Sequence, residues 1–122
     1  MFIIKIAQFS QKRVLTSRLT AQAIVNEFAK SAVDSNVTVP QEFQLEFSGT
    51  ETVTPSFFDE ILVRLEEFIT SKHMSISVIH LLHFPNSLGD FVNRIADGHN
   101  LQARQLAEKT WELRSVIQQR SE

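Results

Sequence analysis

Between Phe43 and Leu82 the spacing of the apolar residues changes twice, and this pattern constrains the fold more than any other feature of the chain. Phe43, Leu45 and Phe47 alternate with polar neighbours, as in a strand with one buried face. From Phe57 the interval becomes helical: Phe57, Phe58, Ile61, Leu62, Leu65, Phe68 and Ile69 form a wide apolar stripe. "SISVIHLL", residues 75 to 82, is then nearly continuous, as in a strand covered on both faces. Strands separated by helices predict α/β layers with crossover connections rather than a helical bundle.

The flanks extend the same pattern. "FIIKIAQF", residues 2 to 9, reads as a strand, and "RVL" at 13 to 15 as its return across a polar turn, forming a hairpin. Thr16 or Ser17 then caps a helix whose buried face carries Leu19, Ala23, Ile24, Phe28 and Ala32. "VDSNVTVPQ" is a connector closed by Pro40, and Gly49 ends the following strand. Leu88, Phe91, Val92 and Ile95 form a short amphipathic segment that stops near Gly98. Ala103, Leu106, Ala107, Thr110, Leu113 and Ile117 predict a longer C-terminal helix, about residues 101 to 119, with Trp111 beside its stripe. The expectation is one α/β domain over residues 1–122, a small mixed sheet of about four strands packed with about four helices.

Composition narrows the function classes. A chain of 122 residues with 43% hydrophobic and 21% charged residues has the make-up of a globular domain. Its net charge of −2 offers no broad basic footprint for nucleic acid or an anionic membrane, although Lys12, Arg13 and Arg18 lie close in sequence. Without cysteine there is no disulfide, thiolate metal site or thiol nucleophile. Lys5 interrupts the N-terminal apolar run, so no signal peptide is expected. No stretch approaches the roughly 18 apolar residues of a membrane span. A cytoplasmic location follows by elimination.

Catalytic and metal signatures are weak. His80 and His83 lie three apart at a predicted strand end, where such a step sends side chains to opposite faces; they, His73 and His99 read as ordinary histidines. Three glycines leave no phosphate loop or dinucleotide fingerprint. Asp59 with Glu60, and Glu66 with Glu67, are adjacent helix pairs that diverge rather than converge on a substrate. The expectation is a protein that is not an enzyme and takes no cofactor or metal.

"TVTPSFFDEIL", residues 52 to 62, leaves two readings open. Ser56 could cap the helix by accepting from the Asp59 amide while the Asp59 carboxylate reaches back. Alternatively Thr54 is the cap and Pro55 the first helical residue, which leaves the Ser56 hydroxyl free in the first turn. A phosphate on that free hydroxyl would meet the positive end of the helix dipole, and also the repulsion of Asp59 and Glu60. Arg18 stands at the head of its own helix, where the dipole disfavours a cation. It reads as solvated or salt-bridged, or as a contact to an anionic partner or to the acidic loop carrying Glu51.

"FSQKRVLTSRLTAQAIVNEF" and "FQLEFSGTETVTPSFFDEILVRL" together resemble a STAS-like domain family of unknown function found in bacteria, over about residues 9 to 95. Ser17-Arg18 matches its Ser-Arg step at the first helix. "EFSGT" matches its Asp-Phe-x-Gly-Val strand, with Glu46 for aspartate and Thr50 for the apolar residue. "SFFDEIL" matches its Phe-Ala-Asp-Glu helix start, with Phe58 for alanine. Among wider STAS relatives, anti-sigma-factor antagonists are phosphorylated by histidine-kinase-like ATPases at a serine that starts the helix after a strand. The resemblance places Ser56 at that serine, with Thr54 where aspartate is usual and Phe57 where glycine follows. It implies a non-enzymatic regulatory domain whose partner is such an ATPase or a transcription regulator. Ser17, Arg18, Glu51, Thr54, Phe57, Asp59 and Glu60 are then its candidate contact residues. Two other classes stand beside it: a structural protein that self-associates, as a homodimer or larger assembly, through the helix bearing Trp111, and a small-ligand or nucleotide-binding module.

Overall fold

The computed structural model describes residues 2–33, 42–71 and 76–116. Seven strands and four α-helices follow one another as β1 (Phe2–Lys5), α1 (Ile6–Phe9), β2 (Val14–Leu15), α2 (Arg18–Val33), β3 (Glu42–Glu46), β4 (Thr52–Val53), α3 (Pro55–Thr70), β5 (Val78–Leu82), α4 (Phe91–Gly98), β6 (Leu101–Ala107) and β7 (Thr110–Ser115). A 3-10 turn at Asn86–Leu88 precedes α4. The main sheet has the order β1-β3-β5-β7-β6, and β2 and β4 form a small sheet of their own. The α/β class is as expected, with more strands than the sequence suggested. The connector from Asp34 to Gln41, together with His73 and Ile117, lies outside the described residues.

The β3-α3-β5 unit has the form its spacing predicts, since β3 and β5 pair in parallel and need a crossover between them. In-register residues share a face, so Phe2, Phe43, Ile79 and Leu113 form one row of the sheet and Ile4, Leu45, Leu81 and Trp111 the next. All but Phe2 and Trp111 are buried. Helices α2 and α3 cover this face: Phe28 of α2 lies 5.2 Å from Phe2, and Phe68 of α3 lies 5.6 Å from Phe28 (ring centroids). Every residue of the α3 stripe from Phe57 to Ile69 is buried. The opposite face is partly covered: on β5 Val78 is buried, but His80 and Leu82 are half-buried.

Three expectations are corrected. The N-terminal hairpin does not form. The chain leaves β1 into the single turn of α1, where Ile6 is buried, and Val14–Leu15 pairs in parallel with Thr52–Val53 instead. Among the described side chains of α2 the buried face is Ala21, Ile24, Val25 and Phe28, while Leu19 and Ala23 are exposed; the side chain of Ala32 lies outside them. The C-terminal helix is a β-hairpin, in which β7 pairs antiparallel with both β5 and β6. Leu113 enters the core row, Ala103 packs beside it, and Leu106 is left exposed. The antiparallel part of the mixed sheet therefore lies at the C-terminal end, and Trp111 sits half-buried on a strand opposite Leu81.

Candidate interaction surface at two helix starts

The small β2-β4 sheet fixes where the two long helices begin. Each of its strands leads directly into a long helix, so α2 and α3 begin side by side. Thr54 ties the two starts together. Its hydroxyl accepts from the Phe57 amide at 3.3 Å, capping α3, and donates to the Thr16 carbonyl at 3.0 Å, just ahead of α2. Pro55 is the first residue of α3, where its missing N–H is of no consequence. Thr54, not Ser56, is therefore the cap, and the capping box between Ser56 and Asp59 does not form. Ser17 serves α2 as Thr54 serves α3, accepting from the Thr20 amide at 3.0 Å and bonding the Thr20 hydroxyl at 2.9 Å.

Ser56 is left in the first turn of α3, exposed, with no hydrogen bond to its hydroxyl among the described residues. Around this end of the molecule Leu19 is 76% exposed and Val14 48%, and Pro55 is exposed as well. Phe57 is fully buried, so this candidate contact residue belongs to the core and not to the surface.

Asp59 and Glu60 occupy the second turn of α3. They do not diverge as expected: the Arg18 Nη1 bridges them, at 2.9 Å from Asp59 Oδ2 and 3.0 Å from Glu60 Oε1. This answers why a cation heads α2, since two carboxylates of the neighbouring helix outweigh the local dipole. Glu60 is nearly buried and fully engaged, with Gln22 at 3.0 Å and Arg64 at 2.7 Å on its other oxygen. The Arg64 hydrogen bond, helped by Gln22 and Arg18 against the cost of burial, holds the Glu60 carboxyl below its usual range. Arg64 also reaches Glu67 at 3.1 Å. Glu51 does not meet Arg18. It pairs with Arg13 at 3.0 Å, an exposed bridge, so neither arginine of the Lys12-Arg13-Arg18 group stands as an unpaired basic patch.

Asp59 has a second partner that the sequence did not disclose. His99, in the turn after α4, places Nε2 at 2.7 Å from Asp59 Oδ1 and Nδ1 at 3.0 Å from Glu66 Oε1. Burial works against both charged groups, yet the paired charges prevail: His99 titrates above its ordinary range and Asp59, also held by Arg18, below its own. One signal of this existed in the sequence. Asp59 and Glu66 are seven residues apart, close to two full turns, and so share a helix face. Likewise Glu60 stands three residues after Phe57, at the margin of the apolar stripe, which marks it for burial.

Among the described residues no cluster suited to a metal ion occurs, and no helix is long and apolar enough to cross a membrane. No family model matches the chain, and neither a search of curated proteins nor one of solved structures returns a significant match.

Proposed function

We propose that this chain is a non-catalytic, STAS-like interaction domain of bacterial signalling that docks a protein partner on the surface formed by its two helix starts. The partner class is a histidine-kinase-like ATPase or a transcription regulator, met in the cytoplasm, and Ser56 is the residue through which the contact is switched. One observation carries the reading: Thr54 does all the capping of α3, so the exposed hydroxyl of Ser56 has no structural task. Exposed Leu19, Val14 and Pro55 supply apolar area at the same end of the molecule.

A phosphate on Ser56 would add about −1.5 to −2 charges at the contact. It would sit one turn ahead of Asp59 and Glu60 and compete with them for Arg18, changing both the charge and the side-chain arrangement of the surface. The test is affinity capture of the tagged protein from its own cells, in wild-type, Ser56→Ala and Ser56→Asp forms, with mass spectrometry of the recovered proteins. The reading expects a common partner with the first two and its loss with Ser56→Asp. Identical recovery by all three forms would remove Ser56 from the mechanism.

Self-association through a C-terminal helix no longer has the helix it requires, because Leu101–Ala107 and Thr110–Ser115 are strands of the sheet.

A further inference from the structure

His99 fastens the turn joining α4 to β6 onto α3, and its side chain is only 10% exposed. Both of its ring nitrogens face carboxylate oxygens, Asp59 at 2.7 Å and Glu66 at 3.0 Å. A neutral imidazole carries a single N–H, and its other nitrogen is an acceptor. An ionised carboxylate is acceptor-only. With a neutral ring, one of the two short contacts would set a lone pair against a carboxylate, so this geometry requires the imidazolium. From it we infer that His99 is a proton-operated clasp, closing the α4-β6 turn onto α3 when charged and releasing it when neutral.

The surrounding charges agree with this assignment. From α3 the ring meets Asp59 and Glu66, and from α2 Arg18 occupies the other oxygen of Asp59. Ile76 ahead of β5, Leu101 of β6 and Ser115 of β7 line an adjoining cavity of about 270 Å³ with Ile69, His99 and Glu66, and none of these three can titrate. On its own element His99 closes α4, its amide bonding the Ala96 carbonyl at 2.9 Å, while the charged Asp97 side chain is exposed. The charged ring is shared by Asp59 and Glu66, as Arg18 is by Asp59 and Glu60. Loss of the proton leaves Glu66 without its cation and Asp59, one turn from Ser56, with Arg18 alone. The raised pKa of His99 fixes the direction: the clasp is fully closed below the ordinary histidine value of 6.5 and opens as pH rises through a higher folded value.

The clasp is a property of the isolated protein and stands or falls independently of any partner. Its test is nitrogen NMR of protein labelled with 15N-histidine, together with amide hydrogen exchange across the same pH range. The expected result is that His99 has both ring nitrogens protonated below pH 6.5 and a titration midpoint above 6.5. With the same midpoint, the Asn100 and Val116 amides, which bond Asp97 and Asn100, lose protection after correction for base catalysis. The Phe47 amide, bonded to Leu82 in the sheet, is unaffected. A His99 midpoint at or below 6.5, or protection at Asn100 and Val116 that does not follow its titration, would overturn the inference. Glu66→Gln, which keeps the shape of the helix face, lowers the His99 midpoint if the clasp is electrostatic; an unchanged midpoint would also overturn it.

Discussion

Helices α2 and α3 start alike and are finished differently. Each follows a two-residue strand of one parallel ladder, and each is capped by the residue immediately before it, Ser17 or Thr54. Both capping hydroxyls are used twice. The difference lies in what comes next. After Ser17 stands Arg18, committed at once to Asp59 and Glu60, whereas after Thr54 and Pro55 stands Ser56, committed to nothing among the described residues. Two serines at neighbouring helix starts therefore have separate roles, one structural and one available. Residue type alone does not distinguish them, but their places do: Ser17 stands ahead of α2 and caps it, and Ser56 stands inside the first turn of α3.

Substitutions at these positions test that contrast. The largest effect belongs to Thr54, which serves both starts: Thr54→Val should lower the unfolding free energy by about 2 kcal/mol, at the upper end for a lost cap. Thr54→Ser should recover most of it, both read by chemical denaturation. Ser17→Ala should cost about 1 kcal/mol, since only one helix loses its cap. A third effect is confined to acid. Because Glu60 is held below its usual range, its contribution is complete above about pH 4.5 and is lost as pH falls through its lower folded value. Unfolding measured against pH should therefore show an acid limb that is flatter in Glu60→Gln. Ser56→Ala should be the mildest change, within about 0.5 kcal/mol of wild type. A cost equal to that of Ser17→Ala would make the two serines equivalent and remove the contrast.

The legible and illegible parts of the molecule differ for physical reasons. The β3-α3-β5 unit could be read because seven apolar residues of α3 all face one core and the period leaves no alternative. The start of α3 was ambiguous because Thr54 and Ser56 are both good caps on either side of Pro55. The C-terminal hairpin was hidden by its turn and its small residues. Ala103, Ala107 and Thr110 satisfy a helical spacing as readily as a strand one, and Leu106 is exposed next to a bulge. The tight turn at Glu108–Lys109 contains neither glycine nor asparagine, although Lys109 takes a positive φ of 62°. Without the usual residues there was no turn to see. At the site, the face shared by Asp59 and Glu66 was written in their spacing, but not that His99, on a turn in the last third of the chain, would close on it. Long-range pairing of this kind depends on topology, which local periodicity does not encode.

Ser56 is proposed to serve recognition and not the fold. That role is tested most directly by the dissociation constant of the captured partner for wild-type, Ser56→Ala and Ser56→Asp protein, each first shown to unfold at the same denaturant midpoint. The expected result is equal affinity for wild type and Ser56→Ala and a loss of more than roughly tenfold for Ser56→Asp, since a misplaced charge at an interface costs several kcal/mol. Equal affinity for all three would contradict it, and Ser56 would then be only an exposed residue in the first turn of α3.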